Sequence, residues 1–435
     1  MKRVSQLTAL ALLIGLSSSV SFAADMLSPL TFTQLQQQKG VAIDTRLSAF
    51  YNGWPQALNG SEGHEPAALN LSASWLSAMS DAQLTDWIKQ HQLQTSTPVA
   101  LYGADNDNAA VAERLKKAGL THVSLLGDAL TQPERLQKLP HFGQLVYPQW
   151  LHDMQEGKAV TAAPKGDWKV IEAAWGAPKL YLLSHIPGAG YIDTNDVESE
   201  PLWNKVSDDK LKALLAKQGI RHDTTVILYG RDVYAAARVA QILLYAGVKD
   251  VRLLDGGWKT WSDAGLPVER GTPGKTTPAP DFGATLPGQP QLMLDTEQAR
   301  GLVHRKDASL VSIRSWPEFI GTTSGYNYIK PKGEIAGARW GHAGSDSTHM
   351  EDFHNPDGTM RSADDIAAMW AQWHILPSQE VSFYCGTGWR ASEAFMYARA
   401  MGWQNVSVYD GGWYEWSQNA RNPVSRGDRG PDSSR

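Results

Sequence analysis

The chain has 435 residues, with 40 Lys and Arg against 45 Asp and Glu and a formal charge of −5 at neutral pH. That length exceeds one hydrophobic core and sets an expectation of about three domains. With 42% hydrophobic and 20% charged residues, no basic stripe, no heptad seam and no long apolar span beyond the N-terminus, it argues against a nucleic-acid partner and against a membrane-spanning body.

Lys2 and Arg3 precede an apolar run from Leu7 to Leu16 and a small-residue stretch ending Ser21-Phe22-Ala23. Charged, then apolar, then small is the order of a cleaved secretory signal, so residues 1–23 predict export to a bacterial periplasm. Export changes the meaning of the cysteine count. Exported proteins usually carry cysteines in pairs or not at all, yet this chain has only Cys385. Such a thiol is either a small buried hydrophobe or a reactive group.

The remainder repeats itself three times. Ser80, Ser207 and Ser362 each precede an apolar-periodic stretch that opens on acidic residues, the pattern of an N-capped helix. Each is followed 22 residues later by the tyrosine that ends a short apolar strand: Val99-Ala-Leu-Tyr102, Val226-Ile-Leu-Tyr229 and Val381-Ser-Phe-Tyr384. A helix and another strand come next: Val123-Ser-Leu-Leu126, Val251-Arg-Leu-Leu254 and Val406-Ser-Val-Tyr409. The second and third copies then read Asp-Gly-Gly-Trp at 255–258 and 410–413, and related turns lie upstream at 63–68, 184–189 and 333–338. Alternating strands and helices predict an α/β protein of three tandem domains, each a parallel sheet flanked by helices. The expected domains are 24–152, 160–270 and 285–420. Residues 160–167 and 271–290 read as linkers, and 421–435 as a disordered tail.

The copies differ where ligands gather in such sheets, at the carboxyl end of a central strand. Gly103 and Gly230 follow the tyrosine in the first two copies, whereas the third reads Cys385-Gly386-Thr387-Gly388-Trp389-Arg390. The glycines let backbone N–H groups curl inward into an anion-binding nest, and the following helix adds its positive end, which favours a thiolate. Arg390 stands at that helix start, where a cation opposes the dipole, so the site should hold an anion. Two other chemistries fit parts of the loop. Gly386-Thr-Gly388-Trp-Arg-Ala391 matches a dinucleotide fingerprint with Asp410 downstream, but Asp255 occupies the same place in a copy with no glycine loop. A cysteine phosphatase has five residues between cysteine and arginine, and here there are four.

Taken together, the His185-Ile-Pro-Gly-Ala189 turn, the six-residue loop 385–390 and the Asp-Gly-Gly-Trp run resemble the rhodanese family of sulfurtransferases, over nearly the whole chain behind the signal. The resemblance implies two inactive domains and a catalytic third one, with no metal or organic cofactor. Cys385 would take a sulfane sulfur from a small-molecule donor such as thiosulfate as a persulfide, and pass it to cyanide or a thiol, including a protein thiol. The amides of residues 386–390 would hold the persulfide, Arg314 would bind the anionic donor, and Thr387 occupies a donor-binding position. Ser312, Glu334 and Ala336 depart from the family pattern, which leaves donor preference open. A non-catalytic binding or sulfur-carrier module is the alternative.

Trp389 would wall the pocket or shield the loop, and His185 could face the cleft between the second and third domains. Asp410 is expected to bond its own turn. The stretch 341–360 carries His342, His349 and His354 in no recognised metal spacing, and is expected to form a flap over the site.

Overall fold

The computed structural model describes residues 27–434. The signal expected over residues 1–23 lies outside them. Among the described residues no helix is long and apolar enough to cross a membrane.

The chain builds three five-stranded parallel sheets of one topology. The first runs, edge to edge, Pro29–Leu30, Val123–Leu126, Val99–Tyr102, Val41–Asp44, Leu69–Asn70. The second runs Leu145–Val146, Asp250–Leu254, Thr225–Tyr229, Trp168–Ala174, Gly190–Asp193, and the third Met293–Leu294, Val406–Tyr409, Glu380–Tyr384, Ala308–Ser312, Arg339–Trp340. The strand ending in the repeated tyrosine is central in all three. It is buried along nearly its whole length because helices cover both faces. The expected caps form as well: Ser80, Ser207 and Ser362 accept the amides of Gln83, Lys210 and Asp365, opening helices Asp81–Gln90, Asp208–Lys217 and Ala363–Ala371.

The sheet topology corrects two boundaries. Leu145–Val146 pairs with Leu253 and Leu254, so the second unit begins before residue 152, and helix Pro148–Gln155 packs in that unit's core through Trp150 and Leu151. Residues 160–167 are then a loop inside that unit, held where Trp150 donates to the Thr161 carbonyl and Arg252 to that of Ala162. The tail is ordered too. Val424–Ser425 pairs antiparallel with Glu334–Ile335 in the third unit. The other two units have the same strap, since Gln137 pairs with His64 and Glu269 with His185. Each departing chain thus crosses its own upstream turn, which composition alone does not reveal.

The second and third units dock reciprocally. Their long helices Val233–Ala246 and Trp389–Ala400 pack against each other and share one core. Asp255 accepts the amide of Met360 at 2.9 Å, and Asp410 accepts that of Lys205 at 2.9 Å. Asp410 therefore reaches across to the second unit instead of closing its own turn as expected. The first unit touches the third through His91 and Asp365 at 3.0 Å and through the Ser48 and Thr359 hydroxyls at 3.1 Å.

Candidate active site

Strand Glu380–Tyr384 lies between Val406–Tyr409 and Ala308–Ser312, and its carboxyl end delivers Cys385 to the start of helix Trp389–Ala400. The loop between is latched by its carbonyls: Trp413 N–H donates to the Cys385 oxygen at 2.8 Å and Tyr414 N–H to that of Gly386 at 3.1 Å. With the carbonyls engaged there, the Gly388 amide turns inward and donates to Cys385 Sγ at 3.1 Å. Backbone conformation calls for glycine at 388, and close packing favours it at 386. A Cβ on Gly386 would lie 2.3 Å from the Tyr326 ring. Gly388 has φ +136°, and its Cβ would lie 2.8 Å from the Arg238 guanidinium.

Cys385 is 1% exposed and forms the floor of a cleft of about 140 Å³. Thr387, Trp389 and Arg390 line it from the loop, Tyr326 and the pair Ser347 and Thr348 from the third unit, and Tyr234 from the second. The volume suits a donor of a few atoms and is well below that of a drug-sized ligand site. Cavities of about 700 and 790 Å³ lie where the first unit meets the others, and Cys385 lines neither.

Arg390 has its anion already. Nη1 and Nη2 each donate to Glu318 at 2.9 Å, and Nη2 also reaches the Tyr326 hydroxyl at 2.8 Å. Burial alone would raise the Glu318 carboxyl, but the guanidiniums of Arg390 and Arg314 and the Ser315 hydroxyl outweigh it and hold the group at about 2. The helix-start cation is thus matched first by this carboxylate, while the buried Arg390 Nε has no protein partner. Glu318 was not singled out from the sequence. Its one signal is the Ser315-x-x-Glu318 capping box, which predicts a helix cap and not an arginine partner.

Arg314 does not reach the cleft, contrary to the expectation that it binds the donor. It is fully buried and donates to Gly333 O at 2.8 Å and to Glu334 at 3.0 Å. The first unit, which has no cysteine, uses Arg46 in the same way, toward Gly63 O at 2.7 Å and Asp44 at 2.7 Å. An arginine that does this in a unit without a thiol is a fold element. Only the acid has moved, from the strand (Asp44) to the turn (Glu334), and Ser312 fills the vacated place by donating to Glu334 at 2.6 Å.

His185 also lies outside the cleft. Its ring stacks on Tyr181 at 3.7 Å and bonds the Tyr181 carbonyl, as His64 does with Tyr51 in the first unit. Trp389 both lines the cleft and anchors the loop, donating Nε1–H to Glu198 of the second unit at 2.6 Å. Of the stretch 341–360, the part around Ser347 and Thr348 covers the cleft, held by Tyr234 donating to the Thr348 carbonyl at 3.1 Å. Its histidines part company: His342 stacks on Trp340, His349 pairs with Asp346 and His354 with Glu393. Among the described residues no group of three or more His, Cys, Asp or Glu side chains could hold a metal ion.

Comparison with known proteins follows the same lines. Residues 148–264 and 295–419 match the model of the rhodanese-like domain. The chain is 79% identical over 435 residues to thiosulfate sulfurtransferase YnjE of Escherichia coli (strain K12), covering the whole of both chains. It is 30% identical to sulfur carrier protein TtuD of Thermus thermophilus over 57% of this chain and 88% of that protein. The crystal structure of YnjE superposes with a TM-score of 0.94 at 80% identity, over 95% of this chain and all of that one. A structure of EanB carrying a cysteine persulfide with ergothioneine superposes at 0.87 and 36% identity, over 92% of this chain and 100% of that one.

Proposed function

The chain belongs to the rhodanese family, and from that premise we propose that it is a thiosulfate sulfurtransferase whose third unit carries the reaction on Cys385. The observation that carries this reading is the Cys385 sulfur, at the floor of a small cleft, accepting an inward-turned amide at the start of a helix. The thiolate attacks the outer sulfur of thiosulfate. A new S–S bond forms at Cys385, the S–S bond of the donor breaks, and sulfite leaves with the electron pair. The persulfide anion lies against the amides of residues 386–390 and the positive end of helix Trp389–Ala400. Thr387 and Arg390 line the cleft that receives the donor's oxygens. A thiophile, cyanide in an assay or a thiol such as a protein thiol in the cell, then takes the outer sulfur and restores the thiolate. Export to the periplasm is supported by the order of charged, apolar and small residues in 1–23.

Thiosulfate and cyanide should yield thiocyanate, and intact-mass spectrometry after thiosulfate alone should show one added sulfur. Cys385→Ser should abolish both, and turnover surviving that substitution overturns the mechanism. Loading by a partner's persulfide without any turnover of thiosulfate would favour a sulfur carrier.

A further inference from the structure

The second unit has no thiol, yet it places a buried cation against the cysteine loop. Arg238, in helix Val233–Ala246, is 0% exposed. Its Nε donates to Glu198 at 2.9 Å, and its Nη2 to Asp410 at 2.8 Å and to the Trp203 carbonyl at 3.0 Å. Both acids connect it to the loop. Glu198 accepts the indole N–H of Trp389 at 2.6 Å. Asp410 begins the Asp-Gly-Gly-Trp run whose Trp413 and Tyr414 amides fasten the carbonyls of Cys385 and Gly386. The remaining nitrogen, Nη1, is buried with no hydrogen-bond partner and abuts Gly388, whose added Cβ would lie 2.8 Å away. Gly388 is the residue whose amide points at Sγ. One guanidinium therefore grips the loop on both sides and presses on the residue that holds the sulfur.

The internal repeat supplies an independent comparison. A separation of 155 residues relates Tyr229 to Tyr384, Asp255 to Asp410 and Arg238 to Glu393. In the third unit the residue matching Arg238 is thus an acid. Glu393 bonds His354 and, at 2.8 Å, Tyr397. It faces the second unit's vacant loop, where burial first and the Glu393 charge next raise the Asp232 carboxyl. The two halves dock with matching geometry but exchanged residue types, an arginine held by Glu198 and Asp410 against the loop with a thiol and a glutamate held by His354 and Tyr397 in the matching place.

We propose that Arg238 is a positioning residue for sulfur transfer at Cys385, so that a domain without a cysteine completes the active site. This rests on the sulfurtransferase reading above. The guanidinium, held by Glu198 and Asp410, fixes the Gly388 amide on the sulfur, and its unpartnered Nη1 lies against that residue.

The test uses the full chain with Arg238→Met, Arg238→Lys and, as the matched substitution on the opposite side, Glu393→Gln. Two rates are read at fixed pH: alkylation of Cys385 by iodoacetamide, and persulfide loading from thiosulfate by intact mass. Loss of the Gly388 amide's contact with the sulfur should slow both by about tenfold in Arg238→Met. Arg238→Lys should recover part of the loss, and Glu393→Gln should stay within about twofold of the parent because its charge faces the other loop. A merely structural role predicts the opposite for alkylation, because a loosened loop exposes the sulfur and speeds the reaction. Arg238→Met alkylated and loaded at the parent rate, or alkylated faster, overturns the proposal, as does an equal loss in Glu393→Gln. A parent chain that alkylates but never loads from thiosulfate overturns the sulfurtransferase reading, and the alkylation ratio still decides the role of Arg238.

Discussion

At the scale of single residues, a buried ion pair stands beside the cysteine. Arg390 and Glu318 are 1% and 0% exposed, and removing one partner leaves an uncompensated charge in a dry interior. Glu318→Gln is therefore expected to cost about 3 kcal/mol of unfolding free energy by denaturant titration, and to halt sulfur loading as the Arg390 side chain shifts. The pH dependence has a definite sign. The carboxyl is held at about 2 against an ordinary 4.5, so its contribution is whole above pH 4.5 and is lost as the pH falls toward 2. Cys385 and its loop were legible from the sequence because a single thiol before two glycines and a helix start is a local pattern. Arg314 misled because its chemistry suits a donor site, and only the matching Arg46 in the first unit reveals a fold element.

At the scale of elements, what is local was readable and what is reciprocal was not. The serine caps, the tyrosine-ended strands and the order of elements follow from propensity and apolar period. The crossed partners of Asp255 and Asp410 depend on how two finished units dock, and they lie 105 and 172–205 residues away in the chain. The joint has a measurable signature. Burial first, and the charges of Asp357 and Glu393 next, raise the Asp255 carboxyl to about 7, against the Met360 amide that lowers it. A carboxyl raised on folding stabilises the protein at low pH, and that contribution is lost as the pH rises through about 7. Asp255→Asn keeps the acceptor and removes the charge. It is expected to melt above the parent at pH 8, by about 2 to 4 °C for each kcal/mol recovered, to keep less than half of that advantage at pH 5, and to lose it below the ordinary carboxyl value of 3.8, as scanning calorimetry across that range would report.

At the scale of the whole molecule, the two units without a thiol differ from the third by more than one side chain. The second unit keeps the latch, with Trp258 N–H on the Gly230 carbonyl at 3.0 Å. A Cβ on Gly230, however, would meet the Asp232 carbonyl at 2.7 Å and that of Ala173 at 2.9 Å, and the facing side chain is Glu393. Gly103 is blocked too, at φ +143° with its Cβ 2.3 Å from the Thr45 hydroxyl. Gly230→Cys in a Cys385→Ser background is therefore expected to give no persulfide by intact mass, with a stability loss of about 1 to 3 kcal/mol from overpacking.

The strap Val424–Ser425 lies on Glu334–Ile335, and Glu334 in turn holds Arg314, Ser312 and Tyr384 behind the cysteine strand. Val424 and Ser425 are therefore a bolt across the back wall of the reaction chamber. A carboxypeptidase that erodes the chain past Ser425, or an affinity tag that tugs on it, acts on catalysis from behind.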